Sequence, residues 1–434
     1  MKVTIHRGTR EIGGSCVEVS TEATRIVLDI GMPLVKPGGD PFDMREYGSF
    51  DGPSLVAQKV LPDLKGFYQW DTLPKPDALF LSHAHLDHYG FINFVKHSIP
   101  CYMGEGTRKL VEITNLFTGK VPLTVPYVPF KSGTPAKVGG LTVTPYLMDH
   151  SAFDAYAFLV EGGGKRVLYS GDFREHGRKQ KAFQWFLANV PKEMDMLLLE
   201  GSMFGRTSEP PKTEKQIEDE VFDLLRRTNG LVILISSGQN IDRLVSFYRA
   251  CLRAQRLLVV DVYIANVLTA LKDLARLPYP SPQFAHMRVF FPYHLCKRLA
   301  LDGKRELLTT FRNYRISKTE ITQRKREIAM MARPSMVSDL ARLGDLSDST
   351  AVYSMWEGYM TEPSTQRLLD FLKDRGTKVL SVHTSGHAFI ATLRKVVNTL
   401  RPKTLVPIHT FHPEAYEKLS SSVLQLSDGV GVEV

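Results

Sequence analysis

Six consecutive residues, His83-Ala84-His85-Leu86-Asp87-His88, hold four metal-capable side chains in the pattern H-x-H-x-D-H. Imidazole and carboxylate together suit borderline and hard divalent ions. The cluster follows Asp77-Ala78-Leu79-Phe80-Leu81, a short apolar run that reads as a buried strand. It therefore falls in the loop where a strand ends, and successive side chains there can splay around one or two ions. On an ideal strand His83, His85 and Asp87 would share one face and His88 would point away. A His-rich surface turn is the bland alternative, and the carboxylate among the imidazoles counts against it.

The elements that must position this cluster are spread over 434 residues, a length that fits two or three domains. Hydrophobic residues make up 43% of the chain, enough for large cores. The formal charge of +9 suits a polyanionic partner. Cys16, Cys101, Cys251 and Cys296 show no C-x-x-C spacing and read as reduced core thiols. No leader-like segment or membrane-length apolar run stands out, so the expectation is a soluble cytoplasmic protein.

Residues 1 to about 200 alternate short apolar runs with Gly- and Pro-rich turns. Val3–Ile5, Cys16–Val19 and Arg25–Leu28 read as antiparallel strands, Pro37-Gly38-Gly39-Asp40-Pro41 as a loop, and 104–117 as a helix. Residues 138–143, 157–160 and 167–169 return to strands, with Gly162-Gly163-Gly164-Lys165 as a hairpin turn. Pro210-Pro211 and its polar surroundings read as a linker. Beyond it, 215–227 is an amphipathic helix, Gly230–Ile235 a buried strand, 242–254 a helix, 257–260 a strand and 265–274 a helix. This rhythm implies a parallel sheet with helical cover. The basic stretch from 304 to 333 (Arg312, Arg315, Lys318, Arg324, Lys325, Arg326, Arg333) is a solvated face or a polyanion track. Strands at 378–382 and 404–408 then lead into His-rich turns. The division is 1–205 for a first domain, 206–376 for an inserted domain and 377–434 for the return.

The motif at 83–88 resembles the signature of the metallo-β-lactamase superfamily. That resemblance asks for partners downstream, and Asp29, His150 and Asp172 stand at the matching motifs. A core of this kind with an inserted α/β domain, Glu200 at a strand end, the turn Ser385-Gly386-His387-Ala388 and Pro407-Ile408-His409 is similar to the β-CASP nucleases, which include ribonuclease J and the polyadenylation endonuclease. The resemblance implies an α/β fold, an αββα sandwich carrying a β-CASP domain with a parallel sheet and helices. The family often has Gly-Glu after its last motif histidine; here Thr410-Phe411-His412-Pro413-Glu414 follows, which leaves His409 and His412 as alternatives, with His409 favoured because it directly follows the strand.

By resemblance, His83, His85 and His150 hold one zinc, Asp87, His88 and His409 a second, and Asp172 bridges them. Two Zn2+ per chain are expected, and the carboxylates also suit Mn2+. The implied activity is hydrolysis of phosphodiester bonds in single-stranded RNA by a hydroxide shared between the ions, with His387 as general acid supported by Glu200. Asp87 and Asp172 belong to the catalytic set. Asp29 orients a ligand or caps a turn. Ser236, Ser237, His383, Ser385 and Gly386 are candidate phosphate contacts, with helix capping the alternative for the two serines. His6, His97, His176, His286 and His294 read as ordinary surface or core histidines. Phe67, Tyr68 and Trp70 are core residues or base-stacking platforms. The competing readings are a thioester or lactone hydrolase of the same core and a non-catalytic RNA-binding protein. Endonucleolytic and 5′-directed cleavage are both open, as is a homodimer.

Overall fold

The computed structural model describes residues 1–36, 39–206 and 210–434. Pro37 and Gly38 of the loop expected at 37–41, and residues 207–209 of the expected linker, lie outside the described residues.

Two sheets stack face to face. The first has seven strands in the order Gly431–Glu433, Lys2–Arg7, Cys16–Ser20, Arg25–Leu28, Ala78–Phe80, Cys101–Met103, Tyr127–Pro129. The second has six, in the order Thr404–Ile408, Met196–Glu200, Lys165–Tyr169, Ala155–Gly162, Leu141–Met148, Ala136–Val138. Alternate residues of each face the other sheet: Val3, Ile5, Val17 and Val19 from one meet Val143, Phe158, Val160 and Val167 from the other in one buried cluster. Outward-facing Leu159, Leu168, Leu197 and Leu405 pack under the helices Gln180–Asn189 and Ile390–Leu400 through Phe183, Phe186, Leu393 and Val396. On the far side, Val27, Leu79 and Met103 pack against Leu110, Val111 and Phe117 of Glu105–Thr118. The layers are helix, sheet, sheet, helix. Met196–Glu200 is buried throughout because both its faces are covered.

A third sheet has six strands, all parallel, in the order Met287–Phe290, Leu257–Asp261, Ile328–Ala332, Val232–Ile235, Thr350–Tyr353, Lys378–Ser381. Helices accompany its strands, and Glu214–Arg227, which leads into the first of them, is opened by a Thr213/Gln216 capping box and buried along Ile217, Val221 and Leu225. Its edge strand corrects the expected division. Lys378–Ser381 pairs with Thr350–Tyr353, so the inserted sheet runs past residue 377 and the chain turns back after Ser381. Two smaller differences are local. The strand expected at 138–143 is a hairpin, Ala136–Val138 against Leu141–Met148, and the helix expected at 265–274 is Val262–Leu271, capped by Asp261.

The strands Lys165–Tyr169, Met196–Glu200 and Thr404–Ile408 run parallel, so their carboxyl ends share one rim. Asp172, Glu200 and His409 emerge there. Arg25–Leu28 and Ala78–Phe80 are parallel in the facing sheet and deliver Asp29 and the 83–88 motif. Leu141–Met148 ends at the same rim with His150. A crevice beyond the carboxyl ends of strands is where α/β sheets place their ligands.

Candidate metal centre

The motif folds differently from an extended loop. His85, with extended backbone, stands at the N-terminal boundary of a single helical turn formed by Leu86–Tyr89. The turn brings His88 back to the side of His83, with ring centroids 4.1 Å apart. Its entry needs Gly31, because a Cβ there would collide with the Asp87 carbonyl.

Two sets of donor atoms result. His83 Nε2 and His150 Nε2 lie 3.1 Å and 3.2 Å from His85 Nδ1. His88 Nε2 lies 3.1 Å from Asp172 Oδ2, and His409 Nε2 lies 3.6 Å from that oxygen and 3.7 Å from Asp87 Oδ2. Ligand atoms of His83, His85, His150 and Asp172 fall within 4.8 Å of one another, as do those of Asp87, His88, Asp172 and His409. Asp172 belongs to both. His412 stays outside, paired with Glu414 at 3.1 Å.

The electrostatics are those of a site built for cations. Burial holds His83, His85, His150 and His409 below the ordinary histidine range, so these imidazoles keep a free lone pair. Burial would also lower His88, but Asp172 and Asp29 together carry it well above that range. Burial opposes the Asp172 carboxylate, yet His409, His88 and His387 hold it ionised, well below the usual value. Asp172 Oδ1 and His409 Nε2 are buried without a hydrogen-bond partner. Buried polar atoms left unpaired are rare. The donor set, three imidazoles with a carboxylate beside two imidazoles with two carboxylates, fits two divalent ions.

The imidazoles are aimed by their other nitrogens. His88 Nδ1 donates to Asp29 Oδ2 at 2.7 Å. Asp29 also accepts from the Ser82 amide, the Ser82 hydroxyl and the Tyr169 hydroxyl, at 2.7, 2.7 and 2.8 Å. His150 Nδ1 donates to the Gly386 carbonyl at 2.6 Å. Ser15 Oγ lies 3.0 Å from His409 Nδ1. Asp29 and His409 have φ of +60° and +54°, a region costly for non-glycine residues and tolerated where the surroundings enforce it. Their amides donate to the Phe80 and Gly8 carbonyls, at 2.9 and 2.7 Å.

A third group adjoins the first two. His387 Nδ1 lies 3.4 Å from Glu200 Oε1 and 3.7 Å from Asp172 Oδ2. Burial opposes charge on His387, and Glu200 then Asp172 raise it above the usual histidine value. Glu200 accepts from the Ala388, Phe173 and Ser202 amides at 3.2, 3.4 and 3.0 Å, tying the Asp172 loop to the His387 turn.

The expected phosphate contacts divide. Ser236 Oγ and His383 Nδ1 are buried and unpaired, and so is Thr384 Oγ1, which was not among the expected contacts. Helix capping does not explain the serines, since Asn240 caps Ile241–Arg253 and Ser237 Oγ accepts from the Gln239 amide at 3.2 Å. The Ser385 hydroxyl accepts from the His387 amide at 3.1 Å, and Gly386 is committed to His150. Phe67 and Tyr68 are core, and Trp70 stacks on Tyr68 at 4.9 Å.

Sequence reading missed how the turn is held. His176 is buried and donates to the Ser385 carbonyl at 2.9 Å. Arg174, fully buried, donates to the same carbonyl at 3.0 Å and reaches Asp149, Glu214 and Asp242 at 3.3, 3.4 and 2.7 Å. Arg243 joins from the inserted domain, 3.0 Å from Glu214. The only local signal was a pair of basic residues close behind a site aspartate.

Comparison with known proteins agrees with this geometry. A family profile described as "Beta-lactamase superfamily domain" matches residues 49–211. The chain is 23% identical over 429 residues to Ribonuclease J of Sinorhizobium meliloti, covering 93% of this chain and 70% of that one. It is 22% identical to Ribonuclease J of Mycobacterium tuberculosis, covering 94% and 68%. It is 26% identical over 292 residues to Transcription termination factor FttA of Methanothermobacter thermautotrophicus, covering 62% of this chain and 42% of that protein. A crystal structure of a protein of unknown function from Enterococcus faecalis superposes with a TM-score of 0.80 at 22% identity, over 99% of both chains. Fold and site together define a metallo-β-lactamase-type hydrolase. Within that class, the relatives named Ribonuclease J match more than nine-tenths of this chain and support a ribonuclease J-like β-CASP relationship.

Proposed function

We propose that this protein is a zinc-dependent ribonuclease that hydrolyses phosphodiester bonds of single-stranded RNA. The observation that carries the reading is the group formed by Asp172, Glu200 and His387, which adds a proton-carrying imidazole to a site with room for two ions. Bound at the two donor sets, divalent ions supply the positive charge that grips a phosphodiester and acidifies an attacking water. His83, His85 and His150 would hold one, Asp87, His88 and His409 the other, and Asp172 both.

The remaining work belongs to the chain. Two buried carboxylates favour the imidazolium of His387. Its Nδ1 is turned to them, which leaves Nε2–H as the proton for the departing 3′-oxygen. Glu200, fixed by three backbone amides, keeps that ring in place. Ser236, His383 and Thr384 offer unpaired polar atoms beside the same turn for phosphate oxygens of the substrate. The relatives named Ribonuclease J support the choice of RNA.

The test compares an end-labelled single-stranded RNA with a thioester as substrates of the zinc-loaded protein. RNA cleavage that disappears in Asp172→Ala, with the fold retained by circular dichroism, is the expected outcome. Turnover of the thioester alone would overturn the assignment.

A further inference from the structure

The rim beside His387 carries an aromatic surface that the proposed chemistry does not use. Trp356 and Tyr359 are 46% and 40% exposed, although large aromatic side chains normally bury most of their area. Their rings meet edge to face with centroids 5.3 Å apart. The Arg206 guanidinium lies over the indole, 4.8 Å from its centroid.

This surface is fixed rather than loose. The Tyr353 hydroxyl and the Tyr359 amide both donate to the Trp356 carbonyl, at 3.2 and 3.1 Å. Ser381 Oγ lies 3.2 Å from Glu357 Oε1. Gly358 lets the indole lie against the backbone, since a Cβ there would collide with the ring. The loop leaves the carboxyl end of Thr350–Tyr353, next to the strand whose end leads to the His387 turn.

Arg206 gives the direction to the reacting groups. It closes a turn that starts directly after Glu200, with its amide 3.3 Å from the Met203 carbonyl. Met203 Sδ in turn touches Ser385 Oγ at 3.3 Å. The aromatic pair and its cation therefore line the approach to Glu200, Ser385 and His387. An aromatic face with a cation at its margin is suited to the flat face of a base and the phosphate next to it.

From this placement we infer that Trp356, with Tyr359 and Arg206, is a stacking platform for one unpaired nucleobase of the substrate strand near the scissile phosphate. The inference rests on the proposed function, because it takes single-stranded RNA as the occupant. It adds that the strand is gripped through a base, without regard to which base it is.

Two readouts separate the inference from the reading beneath it. Trp70 and Trp185 are the other tryptophans, so Trp70→Phe/Trp185→Phe leaves Trp356 as the sole indole reporter. Adding a 2′-O-methyl oligoribonucleotide should quench its fluorescence, and an abasic strand of the same length should not. In cleavage assays on the full zinc-loaded chain, Trp356→Ala should raise KM about tenfold with little change in kcat, and Trp356→Phe should recover most of the loss. One abasic position near the cut should raise the wild-type KM comparably and leave Trp356→Ala unaffected. Quenching without any cleavage would keep the platform and remove the ribonuclease assignment. Cleavage with no quenching and an unchanged KM in Trp356→Ala would overturn the platform alone. A change of oligomeric state in Trp356→Ala by sedimentation, with KM unaltered, would also overturn it, by assigning the surface to a second copy of this chain.

Discussion

At the scale of residues, the centre depends on side chains that never touch an ion. Asp29 is the clearest case. It fixes His88 through Nδ1 and gathers Ser82 and Tyr169 around the same carboxylate. Asp29→Asn should weaken zinc affinity by about 10- to 100-fold while leaving the fold intact, measured by competition with a chromophoric chelator. His387→Ala should differ in kind. It should lower kcat by about a hundredfold or more, with the ion content of the protein unchanged by elemental analysis. The histidines and aspartates of the site were legible in the sequence because each follows an apolar strand run and the motif at 83–88 is dense. Ser15, Tyr169 and His176 were not. Serine, tyrosine and a lone histidine are ordinary residues, and only folding brings them to their partners, with Ser15 and His409 separated by 394 positions.

Among the elements, the decisive junction is the buried ion network between the sandwich and the third sheet. Arg174 and Arg243 share Glu214, and Arg174 also holds Asp242 and the Ser385 carbonyl. Burial opposes the charge on Glu214, but Arg243 and Arg174 hold its carboxyl down at about 2, against an ordinary value of 4.5. A carboxyl depressed on folding stabilises the native state above its unfolded value. That contribution falls away between pH 4.5 and about 2. Glu214→Gln leaves the buried Arg243 guanidinium without a carboxylate and takes one of three from Arg174, and should cost about 3–5 kcal/mol in urea unfolding near neutral pH. It should also flatten the acid limb of the stability profile. A loss below 1 kcal/mol would show that the network contributes little. The alternation of strands and helices made the inserted domain legible, since period and apolar runs are local signals. The end of its sheet was not. Lys378–Ser381 has exposed and half-buried residues typical of an edge, and its pairing partner lies nearly thirty positions earlier.

For the molecule as a whole, a net charge of +9 and a crevice at the carboxyl ends of strands from two sheets suit a polyanionic strand. The charge is not spent evenly. In the basic run at 312–333, Lys318, Arg324 and Arg333 are ion-paired to Asp339, Glu327 and Asp261, so that stretch is partly a structural feature of the inserted domain. Binding of single-stranded RNA should still weaken with salt, the logarithm of affinity falling linearly with that of salt concentration at a slope of about −2 or steeper. A flat dependence would place the contacts on bases alone. No helix among the described residues is long and apolar enough to cross a membrane.

The most direct test of the central claim is a zinc titration of metal-free protein, followed by cleavage of an end-labelled single-stranded RNA at each step. Cleavage should be absent without metal, rise with bound zinc, and level off at two ions per chain. Full cleavage by the metal-free protein, or saturation with the Asp172→Ala variant equally active, would contradict it.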